Sequence, residues 1–146
     1  MKRTLVIASD HAGYEMKCSL IKHLEQKGYE VTDLGTDSSE PVNYPDFGHP
    51  LAEAVESGKF PVGISLCGSG NGINMVTNKH RGIRGALCWN EEISAVARKH
   101  NDANICSLPA RFIDLSTAIK IVDTFLSTDY EGGRHDIRIR HIPIMP

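Results

Sequence analysis

The sequence predicts one α/β domain spanning residues 1–146, with a five-stranded parallel sheet between two layers of helices. Three observations predict it. Short apolar, β-branched runs alternate with segments of helical periodicity, β then α, five times along the chain. Such alternation places helices on both faces of the sheet and buries the strands. A chain of 146 residues, 40% hydrophobic and 23% charged, has the size and composition of one soluble domain with a real core.

The elements follow in order. "TLVIAS" (Thr4–Ser9) reads as a buried strand. Tyr14 to Lys27 reads as a helix with Met16, Leu20, Ile21 and Leu24 on one face and Gly28 as its stop. "YEVTDLG" is a second strand, and "TDSSEPVNYPD", with two prolines, is a loop. Phe47 to Ser57 is helical, with Leu51, Ala52 and Val55 inward and Gly58 beyond its end. "PVGISLC" is a third strand that runs into a glycine loop, and "INMVTN" continues as a helix. "GIRGALC" is a fourth strand, Glu91 to His100 a helix, and "ANICSL" a fifth strand. Asp114 to Ser127 is a helix with Leu115, Ala118, Ile119, Val122 and Leu126 inward. In the tail from Tyr130 to Pro146, "DIRIRHI" alternates like a strand, yet Arg134 and Arg138 would share a helix face at i,i+4. Both conformations stay open, and the expected fold carries a helical tail.

Composition excludes several function classes. The net charge is -2, with 16 basic and 18 acidic residues, which argues against a nucleic-acid or membrane-surface partner. The apolar run in "MKRTLVIASD" is too short for a signal-peptide core or a membrane span, so a cytoplasmic protein is expected. Cys18, Cys67, Cys88 and Cys106 form no CxxC pair and are expected as free thiols. Three of them read as small buried apolar residues. Seven histidines lack ligand spacing, so no metal site is expected. Trp89 carries no functional reading.

In open parallel sheets, ligands sit beyond the carboxyl ends of the strands. That rule selects "SDHAG", "CGSGNG", "CWNEE" and "SLPAR". The Walker pattern needs Gly-Lys-Ser/Thr after its loop, but Ile73 and Asn74 follow here. The dinucleotide fingerprint needs GxGxxG after the first strand, but this is GxGxG after the third. Both nucleotide readings are therefore weak, though a non-catalytic anion- or nucleotide-binding module stays open as an alternative. Converging backbone N–H groups suit negative charge, either a phosphate or the oxygen of an enediolate. Cys67 stands at the edge of that field, where a thiolate could take a proton from a carbon acid. The bland reading is a buried strand-end thiol. Ser69 is either a turn residue or a hydroxyl that passes a proton.

Asp10 closes the first strand and could simply cap the next helix. His11, near that helix start, could meet a phosphate or a sugar oxygen. Ile93, Val96, Ala97 and His100 fall at i, i+3, i+4 and i+7, so His100 extends an apolar stripe. It reads either as a core histidine or as an acid/base group aimed into a cleft. Asn101 and Asp102 then end the helix. Arg111, Arg134 and Arg138 are ordinarily solvated, but in these segments they suit a phosphate or carboxylate.

"ASDHAG" at 8–13, "YPD" at 44–46, "CGSGNGI" at 67–73, "NKHRGIR" at 78–84, "HNDANI" at 100–105 and "YEGGRHDIR" at 130–138 resemble, in order and spacing, motifs of the type B ribose-5-phosphate isomerases and the related galactose- and allose-6-phosphate isomerases. The resemblance covers nearly the whole chain. It implies a Rossmann-like three-layer architecture that binds no dinucleotide and uses no cofactor or metal. It also implies a homodimer whose sites are completed by the partner chain, paired into tetramers in some members. The activity implied is interconversion of ribose 5-phosphate and ribulose 5-phosphate, a step of the pentose phosphate pathway; allose 6-phosphate and galactose 6-phosphate are the alternative substrates.

The resemblance also implies roles. Cys67 looks like the base that moves a proton between C1 and C2. Gly68, Gly70, Asn71 and Gly72 look like the hole for the enediolate oxygen, and Ser69 like a relay between O1 and O2. Asp10 and His11 look like ligands of the two ends of the sugar phosphate, and Tyr44 like a wall of the cleft. His100 resembles the residue that opens the furanose ring, with Asn101 beside it. Arg111, Arg134 and Arg138 look like phosphate contacts, some donated across the dimer. One departure is Pro109, where the family more often has glycine; it bears on the aim of Arg111.

Overall fold

A computed structural model describes residues 3–145; Met1, Lys2 and Pro146 lie outside the described residues. The strands are β1 (Thr4–Ser9), β2 (Glu30–Asp33), β3 (Gly63–Cys67), β4 (Gly85–Leu87) and β5 (Ile105–Pro109). The helices are α1 (Tyr14–Gln26), α2 (Pro45–Glu56), α3 (Asn71–Thr77), α4 (Glu91–Asn101), α5 (Leu115–Ser127) and α6 (His135–Arg140). A 3₁₀ turn over His11–Gly13 joins β1 to α1.

All strand pairs are parallel, and the sheet order is β2-β1-β3-β5-β4. The expected three-layer α/β architecture is therefore present. Alternation along β1 sends Leu5 and Ile7 into the core shared with α1, α4 and α5. Val6 and Ala8 enter the opposite core, with Leu51, Ala52 and Val55 of α2. Each leucine or isoleucine buried in these layers stabilises the fold by about 1.5–3 kcal/mol.

Several elements are shorter or shifted. β2 and β4 lie at the two edges of the sheet, where pairing on one side supports only four and three residues. α2 starts at Pro45, inside the expected loop, because proline suits the first helical position. Asp114 is the N-cap of α5, its Oδ1 accepting the Thr117 N–H at 2.8 Å. The tail is helical, which ends the strand reading. α6 buries His135 and leaves Arg134 and Arg138 exposed.

Two apolar stripes are corrected. In α5 the buried set is Ala118, Ile121, Val122 and Phe125, while Leu115 is exposed and Ile119 and Leu126 are half-buried. The apolar face of that helix is broad, and its packing against both α1 and α4 decides which part of that face is most deeply buried. In α4 the buried residues are Ser94 and Ala97. Their small side chains allow close approach to α5, where the Ser94 hydroxyl donates to the Ile121 carbonyl at 2.8 Å. Ile93 and Val96 are left 47% and 36% exposed, so the stripe that leads to His100 faces outward. Cys67, Cys88 and Cys106 are buried free thiols, and Cys18 is half-buried.

Candidate active site

The strand order changes direction between β1 and β3, so a crevice opens where their carboxyl ends part. Ser9 pairs with Leu66, and the Asp10 N–H donates to the Leu66 carbonyl at 3.2 Å. Asp10 and Cys67 thus leave the sheet side by side. Asp10 is buried, and its Oδ1 accepts the Gly13 N–H at 3.2 Å, the capping role open to it from sequence. His11 Nδ1 accepts the Val42 N–H at 3.1 Å. Its proton in the neutral form is therefore on Nε2.

Cys67 is buried at the end of β3, two residues after Ser65 and so on the same side of the sheet. The chain then turns through Gly70, whose φ of 75° lies in the left-handed region that favours glycine. A side chain added there would force its neighbours to move. A Cβ on Gly70 would lie 2.5 Å from Leu87 Cδ1 and 3.1 Å from the Leu108 carbonyl. The Ser69 hydroxyl accepts the Asn71 N–H at 3.2 Å. Asn71 and Gly72 already belong to the first turn of α3, so the glycine loop is partly helix. N–H groups in a first turn have no partner within the helix.

Side chains from two other segments close over the loop. The Tyr44 ring packs on Gly72, where a Cβ would lie 2.5 Å from its Cζ. Arg111 lies over Gly68, its Nη1 3.3 Å from the position a Cβ would take. The backbone fixes that aim, because Ala110 N–H donates to the Cys67 carbonyl and Arg111 N–H to the Gly68 carbonyl, both at 3.0 Å. Pro109 pairs with Cys67 as the last residue of β5, so this loop follows the strand end with proline in place.

The remaining predicted residues stand at the other end of the sheet. The Asn101 carbonyl accepts from Arg84 Nε at 3.0 Å, just before β4 begins. The Asn104 carbonyl accepts the Gly63 N–H at 2.9 Å, at the start of β3. His100, Asn101, Arg134 and Arg138 therefore gather beyond the amino ends of the strands. The cause is the direction of α4, which starts beside the carboxyl ends and returns antiparallel to the strands. His100 is neither a core residue nor aimed into the crevice of its own chain.

The His100 end has its own organisation. The Glu131 N–H donates to the Lys99 carbonyl at 3.1 Å, which fastens the tail to α4. The rings of His100 and His135 stack with centroids 4.5 Å apart and planes 15° apart. Burial, and then the charge of His100, pull His135 below the usual histidine range. The exposed guanidinium groups of Arg134 and Arg138 have no hydrogen-bond or ion-pair partner among the described residues.

Sequence reasoning missed several supporting residues. Lys17 is fully buried, its Nζ donating to Asp33 Oδ1 and to the Thr36 carbonyl, both at 2.6 Å. It pins the start of the loop that brings Val42 to His11 and Tyr44 to Gly72. Its place three and seven residues before Leu20 and Leu24 was the available signal. Ser65, Ser107 and Asn74 form a buried hydroxyl–amide chain under the glycine loop, with no local signature. Glu131 and His135 flank His100 and lay within a motif already singled out.

Comparison with known proteins adds four findings. The pattern of a family described as Ribose/Galactose Isomerase matches residues 5–142. The chain is 43% identical over 143 residues to a probable ribose-5-phosphate isomerase B of Mycoplasma pneumoniae, covering 97% of this chain and 94% of that protein. Among solved structures, a ribose 5-phosphate isomerase of Thermotoga maritima superposes with a TM-score of 0.96 at 46% identity, covering 98% and 99% of the two chains. The ribose-5-phosphate isomerase B of Mycoplasma genitalium, solved with bound ribulose-5-phosphate, superposes with a TM-score of 0.93 at 41% identity, covering 97% and 95%.

Proposed function

The chain belongs to the ribose/galactose isomerase family, and from that premise we propose that it interconverts ribose 5-phosphate and ribulose 5-phosphate in the cytoplasm, as a step of the pentose phosphate pathway. The observation that carries this reading is the meeting of Cys67, the glycine loop and Arg111 in the crevice between β1 and β3.

The chemistry runs through an enediolate. Once the sugar ring is open, the Cys67 thiolate removes the proton on C2 of the aldose. The C2–H electron pair forms the C1–C2 double bond, and the carbonyl oxygen on C1 takes the negative charge. That charge appears only during reaction, so donors already in place lower the barrier without tightening the ground state. Backbone N–H groups of Gly68, Gly70 and Gly72 supply those donors, and the Asn71 N–H holds the Ser69 hydroxyl beside them. Ser69 moves the hydroxyl proton from O2 to O1, and Cys67 returns its proton to C1, giving the ketose. Asp10, His11 and Tyr44 hold the sugar, while arginines fix the phosphate and hence the reacting carbons.

The ring-opening group comes from a second copy of the chain. His100, Asn101, Arg134 and Arg138 lie at the end of the sheet away from Cys67, yet Ile93 and Val96 of the same helix are exposed in a stripe that ends at His100. Covering that stripe with a partner protomer carries His100 into the partner's crevice. Trp89 and Phe112, in ring contact at 5.6 Å and exposed by 45% and 63%, add apolar area beside the crevice. The working unit is thus a homodimer with two shared sites.

The deciding experiment incubates the protein with ribose 5-phosphate, without added cofactor or metal, and assays ribulose 5-phosphate. Turnover supports the reading. Its absence, with turnover of allose 6-phosphate or galactose 6-phosphate, would move the substrate within the family.

A further inference from the structure

We propose that His100, Glu131 and His135 form a binding site for a zinc-class divalent cation, and that the bound cation inhibits the enzyme by occupying His100. The ligand atoms of the three side chains all lie within 4.8 Å of one another. Glu131 Oε2 is 3.7 Å from His135 Nε2 and 4.0 Å from His100 Nε2. A tetrahedral ion with bonds of about 2.0–2.1 Å to imidazole and carboxylate places its ligand atoms roughly 3.4 Å apart. Both measured edges need to shorten by well under an ångström.

A second observation points to a ligand independently of this spacing. His135 is 7% exposed, and its Nε2 is buried with no hydrogen-bond partner among the described residues. A buried polar nitrogen left unbonded is costly. This one is directed toward Glu131, and a metal bond would satisfy it. The stacked rings do not yet converge on one point, but His100 is 38% and Glu131 50% exposed, so both can turn about their side-chain bonds. His135, held by packing, is the fixed ligand.

The donor set selects the class of ion. Two imidazoles and one carboxylate suit zinc, with a fourth position left to water, whereas magnesium and calcium require oxygen ligands. The other histidine pair is built differently. His80 turns Nε2 to His49 at 2.7 Å and Nδ1 to Glu56 at 3.7 Å, so its two nitrogens cannot close on a single ion.

Binding is tested directly, on the full chain, by calorimetry with Zn²⁺ and by the visible absorption of Co²⁺. The expected result is one ion per chain with the strong bands of tetrahedral cobalt. Affinity should fall about tenfold or more in His135→Ala and in Glu131→Gln, and stay unchanged in His49→Ala. Glu131 is half exposed, so Glu131→Gln remains informative if His135→Ala does not fold. Absence of the tetrahedral bands, unchanged affinity in Glu131→Gln, or loss in His49→Ala overturns the site. The inhibitory half rests on His100 as the ring-opening group. Inhibition of ribose 5-phosphate turnover by Zn²⁺, relieved by Glu131→Gln, supports it. Zinc bound at this site without inhibition overturns that half alone. A chain that turns over none of the sugar phosphates refutes the isomerase reading, while calorimetry still decides the cation.

Discussion

The hydroxyls of Ser65 and Ser107 meet 2.6 Å apart on neighbouring strands, both fully buried, two residues before Cys67 leaves the sheet. Ser107 also donates to Asn74 Oδ1 at 3.0 Å, so the Ser65 hydroxyl is the donor between the two serines. The chain Ser65–Ser107–Asn74 ties α3 to β3 and β5 and thereby sets where the glycine loop can lie. Ser107→Ala leaves Ser65 and Asn74 without their partner and should cost about 1–3 kcal/mol by urea denaturation. Ser65→Ala combined with Ser107→Ala should cost less than the sum of the single changes, since both ends of one bond are then gone. Strict additivity would show that the pair does not interact.

Gly70 and Gly28 separate backbone strain from crowding. Both have positive φ, 75° and 92°, but nothing lies within 4 Å of a Cβ on Gly28. Gly28→Ala should cost only the left-handed penalty, about 1–2 kcal/mol. Gly70→Ala must also displace Leu87 and the Leu108 backbone. It should be the more destabilising of the two by thermal unfolding, and it should reduce kcat by moving the loop beside Cys67. Equal costs at the two positions would remove the argument that close packing fixes this loop.

The parts legible in the sequence were those governed by local rules. Strand and helix order followed from periodicity, and the crevice followed from the rule for parallel sheets. What escaped depends on long-range packing. The stripe Ile93–Val96–His100 has the spacing of a core face, and a sequence cannot say whether the covering surface comes from its own chain or another. The apolar face of α5 is broad enough to include Leu115 and Leu126, so only its neighbours select Ile121 and Phe125 for the centre of that face. Lys17 hides among the inward residues of α1 because its partners, Asp33 and Thr36, lie across the sheet edge.

Asp114 predicts an acid dependence of stability. The Thr117 backbone N–H, bonded to its carboxylate, holds this group below the usual aspartate range. In the unfolded chain it takes up a proton near the ordinary value of about 3.9. The unfolded state therefore binds more protons in this window. The capping contribution is full above about pH 3.9 and is lost as pH falls through the lower folded value. Asp114→Asn keeps a capping oxygen but has no proton to bind. Its denaturation midpoint should decline less than that of the unaltered protein as the solution is acidified. Parallel declines would mean that this carboxylate contributes no proton linkage.

Shared sites make a prediction that no single-chain site can imitate. Cys67→Ala removes the proposed base, and His100→Ala the proposed ring-opening group, so each homodimer should lack turnover on ribose 5-phosphate. If Cys67 of one protomer works with His100 of the other, a mixed dimer holds one doubly altered site and one intact site. Refolding the two variants together in equal amounts makes half of the dimers mixed, each with one of its two sites intact. Activity should therefore return to about one quarter of the unaltered level. If Cys67 and His100 of the same chain served one site, every site in the mixture would carry one lesion and no activity would return. The geometry favours recovery, because α4 runs from the crevice end of the sheet to the opposite end and leaves His100 there. Keeping the two variants folded and unmixed, then combining them without denaturation, should restore activity only as fast as subunits exchange. That time course distinguishes reassembled sites from contamination by active enzyme.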